Sequence, residues 1–310
     1  MFEKIVIVTL KTRLEELVER FNTREQAKFY IEHMGLDFRT YDDEHAAYTA
    51  AVRRVRHDLE GLTPKLQVVE RGFLPNFLFT PQDLVVTVGR DGLVVNTAKY
   101  LDGQPIVAVN PDPVRIDGIL LPFSVGRAKA GVLRVLEGRA RFHHVTMAEV
   151  GLNDGQRLLA FNDFYLGQRT HVSSRYSLTW NGRTERQSSL GVLVSTGAGS
   201  TGWLSSVQNM ASAVAHLLLL DRAPELPRLR LAWEDPRLVF VVREPFKSRA
   251  SDVRLTAGVL EAGETLGIES HMPDGGVIFS DGIEKDALAF NSGAVATVRA
   301  ADRQARLAAA

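Results

Sequence analysis

Residues 84–102 read LVVTVGRDGLVVNTAKYLD, an apolar run of strand character that ends in Gly89-Arg90-Asp91-Gly92 and gives way to helical periodicity near Leu93. Glycines let backbone N–H groups come close to a ligand, and the helix that follows adds partial positive charge at its N-terminus. The turn therefore reads as one that grips phosphate. A carboxylate at that point repels phosphate, so Asp91 makes chemical sense if it takes a proton from a hydroxyl or acts through a metal ion. The bland alternative is a Gly-Asp-Gly turn that simply ends a strand.

Outward from this stretch, strand and helix patterns alternate. Ile5–Leu10 is a strand run; Thr12 and Glu15 then have capping-box spacing, and Leu14, Leu17, Val18 and Phe21 fall on one helical face. Thr23 with Gln26 repeats the capping pattern, Ala27, Tyr30, Ile31 and Met34 form the next stripe, and Gly35 supplies a stop. Residues 44–60 read as a third helix, and the runs at 66–69, 84–88 and 105–109 read as strands. Such alternation predicts a parallel sheet, an α/β Rossmann-like N-terminal domain.

Beyond a helix at about 125–138 the period changes, and short alternating runs separated by Asn, Asp and Gly turns continue to about residue 290. Tyr176, Leu178 and Trp180 share one strand face, and Asn181-Gly182 is the strongest hairpin signal in the chain. Turns at Asn153-Asp154-Gly155, Pro273-Asp274-Gly275-Gly276 and Asp281-Gly282 predict a mainly antiparallel β C-terminal domain, interrupted by one helix at about 203–220. The expected domains are 1–122 (α/β, nucleotide-binding) and 123–290 (β-rich, NAD-binding on the resemblance given below), with 291–310 returning to the first.

The chain has 310 residues, and its 37 basic and 37 acidic side chains cancel, so no broad electrostatic footprint for nucleic acid or an anionic membrane is present. Zero cysteines exclude a disulfide framework, a thiolate nucleophile and a thiolate metal site. MFEKIVIVTLK at the N-terminus has too short an apolar run for a signal peptide, and no run approaches membrane-spanning length. The expectation is a cytoplasmic protein.

Three polar constellations stand in the β-rich half. Asn162-Asp163 breaks the apolar run LLAFNDFYLG, and a buried amide and carboxylate there require partners; the alternative is a strand end or bulge facing water. GVLVSTGAGSTGW sets Ser195, Thr196, Gly197, Gly199, Ser200 and Thr201 between a strand and the helix that begins near Trp203. That segment is either a cradle for ribose and phosphate oxygens or ordinary N-capping by Ser200 or Thr201. Asp281-Gly282 in VIFSDGIEKD reads as a hairpin turn.

Other features carry less. His143 and His144 in a strand point to opposite faces and do not readily chelate one ion. Arg53, Arg54, Arg56 and His57 are flanked by Asp42, Asp43, Glu44, Asp58 and Glu60, which describes a solvated helix face. Neither Ser195 nor Ser200 has the G-x-S-x-G spacing of a hydrolase nucleophile.

In this order the motifs resemble the NAD kinase family of the diacylglycerol-kinase-like superfamily. Its members carry a Gly-Gly-Asp-Gly turn, an Asn-Glu or Asn-Asp pair, a Thr-x-x-Gly-Ser-Thr stretch and a late Asp-Gly; here these fall at 89–92, 162–163, 196–201 and 281–282. VAVNPDPVRIDGILLP at 107–122, SSRYSLTW at 173–180, VREPFKSR at 242–249 and FNSGAVATV at 290–298 look most like the mitochondrial-type branch.

The resemblance implies transfer of a phosphoryl group from ATP, or from polyphosphate, to the 2′-hydroxyl of the adenosine ribose of NAD, with Mg²⁺ assisting. It gives Asp91 the role of proton acceptor and makes Gly89, Arg90 and Gly92 a phosphate loop. Asn162 and Asp163 would hold the ribose and adenine side of NAD, with Thr196, Gly197, Gly199, Ser200, Thr201 and Gly202, Asn110 and Asp281 beside them. No residue is assigned to hold a metal, and a homodimer or larger assembly is implied. Arg90 departs from the family by standing where its second glycine stands, and Leu93 replaces a threonine. The alternative reading is therefore a catalytically impaired nucleotide-binding protein of the same fold. A third, a kinase acting on a lipid or other small alcohol, finds no membrane-docking segment to support it.

Overall fold

The structure, a computed structural model, describes residues 2–219 and 227–310. It divides into two compact units, Met1–His143 with Ala305–Ala310, and His144–Gln304.

In the first unit, β1 (Lys4–Thr9), β2 (Lys65–Glu70), β3 (Asp83–Val88), β4 (Pro105–Asn110) and the short β5 (Phe123–Ser124) alternate with helices α1 (Arg13–Phe21), α2 (Arg24–His33), α3 (Arg39–Leu59), α4 (Asp91–Ala98) and α5 (Ala128–Leu136). The strands pair in parallel, β1 lying between β2 and β3, and β4 between β3 and β5. Every residue of β3 and β4 is buried, the unbroken apolar run expected of parallel strands covered on both faces, whereas β2 at the edge is largely exposed. The parallel α/β character legible in the sequence is borne out.

Local signals set the helix starts. Thr12 and Glu15 form a complete capping box before α1, and Thr23 caps α2 through the Gln26 amide. Helix α3 begins at Arg39, five residues before the expected 44, because Asp37 receives the Arg39 amide and so opens the helix from outside it, without a side-chain cap. The first unit runs past residue 122 because Phe123, Ala128, Val132 and Val135 pack with Ile7, Val86, Val107 and Leu59 in one core.

The second unit is built on two antiparallel sheets. In one, β10 (Arg183–Ser189), β9 (Ser174–Trp180), β14 (Leu266–Ser270) and β17 (Val295–Ala308) pair in that order, and β6 (Phe142–Leu152) pairs with β7 (Arg157–Ala160). The other runs β13 (Ala257–Leu260), β12 (Leu238–Val242), β11 (Val192–Ser195), β8 (Asp163–Gln168), β15 (Gly276–Ser280) and β16 (Ile283–Ala289). Their inward residues, among them Tyr176, Leu178, Phe164, Val194 and Phe240, share one core. Asn181 and Gly182 both take positive φ at the β9–β10 hairpin, as their sequence demanded.

Helix α6 is Trp203–Leu219; residue 220, the last of the expected span, lies outside the described residues. Strand β17 continues to Ala308, beyond the expected limit of 290, and its last turns of sequence, Arg306 and Leu307, pair with Pro105 and Ile106 of β4. No described helix is long and apolar enough to cross a membrane.

Candidate functional site

The C-terminal ends of β3 and β4 in the first unit open onto a cavity of about 430 Å³ whose wall includes Gly89, Arg90, Asp91 and Gly92 together with Thr12, Arg13, Glu44 and Tyr48. Pro111, Asp112, Arg115, Asp117 and Gly118 complete it from the loop after β4. Ligands of open α/β sheets bind at these strand ends, because helix N-termini and loop amides gather there. Two such helix starts, of α1 and α4, contribute wall residues here.

Helix α4 starts at Asp91 itself, two residues before the expected Leu93, with Arg90 as its N-cap residue. The partial positive charge of the helix start tolerates a carboxylate at this place. Asp91 Oδ1 accepts the Leu120 amide at 2.7 Å, which anchors the side chain at the cavity wall. None of residues 89–92 takes positive φ, and Arg90 sits at φ −92°, ψ 168°, within reach of any residue. Arginine in place of glycine therefore costs no backbone strain. Space is tighter at Gly89, where a Cβ would lie 2.8 Å from the side-chain ends of both Leu10 and Leu93, which would have to shift.

Arginine 90 does not point away idly. Its Nη2 donates to Glu44 Oε1 at 2.7 Å, and Arg13 Nε donates to Glu44 Oε2 at 2.6 Å, so one carboxylate of α3 holds two guanidiniums. Tyr48 ties the two strand ends together, accepting the Leu10 amide at 2.8 Å and donating to the Val88 carbonyl at 2.9 Å; burial raises its phenol well above the usual range. Asn110 is buried and off the cavity wall. Its Nδ2 donates to the Ile116 carbonyl and its Oδ1 accepts the Asp112 amide, so it shapes the loop that carries Asp112 to Gly118. Gly118, at φ +66°, leaves room for that amide, since a Cβ there would lie 2.7 Å from Asn110 Nδ2.

In the second unit, three separated segments meet in one polar knot. Asp281 occupies the left-handed region at φ 56°, in the β15–β16 turn, and its carboxylate accepts the amides of Phe161, Asn162 and Asp163 at 3.0, 2.7 and 3.2 Å. Thr196 donates its hydroxyl to the Phe161 carbonyl at 2.6 Å, while its amide donates to the Asn162 carbonyl at 2.8 Å. Gly197 and Gly199 allow backbones to touch: a Cβ would fall 1.8 Å from the Ala232 carbonyl at the first and 2.1 Å from the Asn162 carbonyl at the second.

The hydroxyls of this knot are spent on its own backbone. Ser200 donates to the Gly197 carbonyl at 2.7 Å and does not cap α6; Thr201 and Gly202 are exposed. Asn162 is half-buried, and the Asp163 carboxyl is buried with no hydrogen-bond partner among the described residues. Burial first, and then the charge of Asp281, push the Asp163 carboxyl up to about 7. Near neutrality it exists both as a donor and as an acceptor, which suits it to hydroxyls and amines rather than to phosphate.

Sequence reasoning found the turn at 89–92 and the three segments of the knot, but missed Thr12, Arg13, Glu44, Tyr48, Arg115 and Asp117 on the cavity wall. The Thr12–Glu15 spacing registered only as a helix start, and Glu44 only as a flank of a solvated helix face. Its side chain is in fact 17% exposed and paired with two guanidiniums from outside its own helix, while Arg54 and Arg56 pair along the helix with Asp58 and Glu60.

No family model matches the chain. In sequence it is 23% identical over 315 residues to "NAD kinase 2, mitochondrial" of Rattus norvegicus, covering 79% of this chain and 74% of the relative. The protein of the same name from Homo sapiens is 22% identical, covering 79% and 71%. In structure the chain superposes on yeast NADH kinase complexed with NADH, with TM-score 0.62 at 17% identity over 100% of this chain and 84% of that one. Its fold is that of the NAD kinases. An NAD kinase from Archaeoglobus fulgidus in complex with ATP superposes likewise, with TM-score 0.57 at 16% identity over 98% and 92%. The resemblance to the NAD kinase family and its mitochondrial-type branch, carried in the sequence by four motifs, is borne out, as is the NAD kinase-like two-domain architecture.

Proposed function

We propose that this chain is an NAD kinase-like phosphotransferase that moves a phosphoryl group from ATP or polyphosphate to the 2′-hydroxyl of the adenosine ribose of NAD. The observation that carries this reading is Asp91: a carboxylate anchored by one oxygen to the Leu120 amide, on the wall of an arginine-lined cavity at a helix start. Phosphoryl transfer asks the protein for positioned phosphates, charge compensation and a base beside the attacking hydroxyl. In this scheme the ribose oxygen forms the new bond to phosphorus, the bond to the bridging donor oxygen breaks, and the hydroxyl proton passes to Asp91.

NAD is held on its ribose and adenine side by Asn162 and Asp163, whose backbone Asp281 fixes and whose backing Thr196 to Gly202 provides. Magnesium would enter with the donor. Among the described residues no group of three His, Asp or Glu side chains is placed to hold a metal ion, but Mg²⁺ in such sites is shared between phosphate oxygens and one or two carboxylates. Asp112 and Asp117, also on the cavity wall, would hold it, and the ion would offset the charge developing on the transferring phosphoryl group.

The backbone at Arg90 favours catalysis over the impaired alternative, since no glycine is required there. Purified protein with NAD, Mg²⁺ and either donor is expected to form NADP at a saturable rate. Saturable NAD binding without product from either donor would leave the nucleotide-binding alternative in place of the kinase.

A further inference from the structure

The wall of the Asp91 cavity arranges its charges unevenly. Glu44 is recessed, with its side chain 17% exposed, while the Arg13 and Arg90 side chains it holds are 52% and 55% exposed. Arg115, paired with Asp112 at 3.0 Å, repeats the pattern, with 50% against 20% exposure. Guanidinium groups thus project and their carboxylates stay behind. Arg13 is further steadied by the Tyr41 ring, 5.0 Å from its guanidinium carbon. Arg90 spends a single N–H on Glu44, so most of its donor fork remains for another anion.

The pairing with Glu44 is also replaceable. Half-exposed ion pairs gain little, because water screens them and holding long side chains costs entropy. Arg13, Glu44 and Arg90 together carry one net positive charge. Phosphate oxygens offer guanidinium groups the same two-point geometry as a carboxylate with more charge. Asp91 and Asp117 share the wall, so a single compact anion meets repulsion, whereas an elongated polyanion can touch several arginines.

We propose that Arg13, Arg90 and Arg115 form a clamp for a linear condensed phosphate chain, and that Glu44 is a positioning residue within it, orienting Arg13 and Arg90 while competing with the ligand for them. The clamp rests on the phosphotransferase reading for its purpose. The arginine at 90 then supplies by side chain the phosphate contact that a glycine at this position can make only by backbone. The chain of phosphates belongs either to a nucleoside triphosphate or to an inorganic polyphosphate.

Calorimetric titration with tripolyphosphate, ATP and adenosine tests this directly. Tripolyphosphate is expected to bind the wild type saturably and adenosine not to compete with it. Arg90→Ala and Arg13→Ala should each weaken tripolyphosphate by about tenfold, Arg90→Lys by less because it keeps charge without the fork, and none should move NAD affinity. Glu44→Gln should tighten it by about threefold or more, an effect that a purely structural glutamate would not produce. ATP binding more tightly than tripolyphosphate with the same Arg90 dependence identifies the nucleotide as the source; the reverse order identifies the inorganic chain. Unchanged tripolyphosphate binding in both arginine variants, or weaker binding in Glu44→Gln, overturns the clamp. NADP formation in the same samples separates the two claims. Turnover indifferent to Arg13, Arg90 and Glu44 keeps the kinase and removes the clamp, whereas Arg90-dependent tripolyphosphate binding without NADP keeps the clamp and removes the kinase.

Discussion

The cavity beside Asp91 and the knot around Asp163 dispose of polar groups in opposite ways. At the cavity, no residue of the 89–92 turn takes positive φ, Asp91 is anchored by an amide, Glu44 and Asp112 are ion-paired, and the guanidiniums are half-exposed. In the knot, glycines bring backbones into contact, an aspartate adopts a left-handed conformation, and one carboxyl is buried with no hydrogen-bond partner among the described residues. Recognition of charge at a rim can be built from flexible side chains on unstrained backbone. Recognition of hydroxyls and amines in a dry interior needs rigid, tightly packed backbone, and the cost collects on Asp163.

The largest effect expected is at the cavity. Asp91→Asn keeps the Leu120 hydrogen bond but cannot take a proton, so steady-state kinetics should show kcat lowered by roughly 10²–10⁴. Unchanged turnover would remove Asp91 as the base. Next comes Asp163. Its carboxyl lies near 3.8 when unperturbed and near 7 in the fold, so the folded state favours the protonated form. Stability is therefore highest below about pH 4 as far as this group is concerned, falls as pH rises through about 7, and is lower by up to about 4 kcal/mol above that. Asp163→Asn should flatten this dependence in denaturant titrations and stabilise the ligand-free protein at pH 8; an equally steep profile in the variant would sink the assignment.

Smaller effects sharpen the contrast between the two regions. Gly197→Ala drives a Cβ against the Ala232 carbonyl and should cost about 3 kcal/mol in thermal unfolding, while Gly92→Ala, which meets nothing within 4 Å, should cost far less. Equal costs at the two positions would erase the distinction between a packed knot and an open rim. Thr12→Ala, which removes the α1 cap at the cavity wall, should destabilise by about 1 kcal/mol.

How much of this was legible depended on whether a residue acts locally. Capping at Thr12 and Thr23, the Asn181-Gly182 hairpin and the buried strands β3 and β4 follow from neighbouring residues and read correctly from sequence. The start of α3 did not, since Asp37 opens it without a capping pattern. Thr196 and Asp281 stood out as polar residues in apolar or turn contexts, yet their bonds span 35 and 120 residues, which no local pattern encodes. Glu44 was least legible of all. Its surroundings in sequence are charged and solvated, and only the approach of Arg13 and Arg90 makes it part of the cavity.

The proposed reaction is phosphorylation of one hydroxyl of NAD. Phosphorus NMR of NAD incubated with the wild-type protein, Mg²⁺ and ATP or polyphosphate tests it most directly. A new monoester resonance on the 2′ position of the adenosine ribose, growing as the donor is consumed, is expected. Donor consumption with NAD left unmodified, or phosphate on a different hydroxyl, would contradict it.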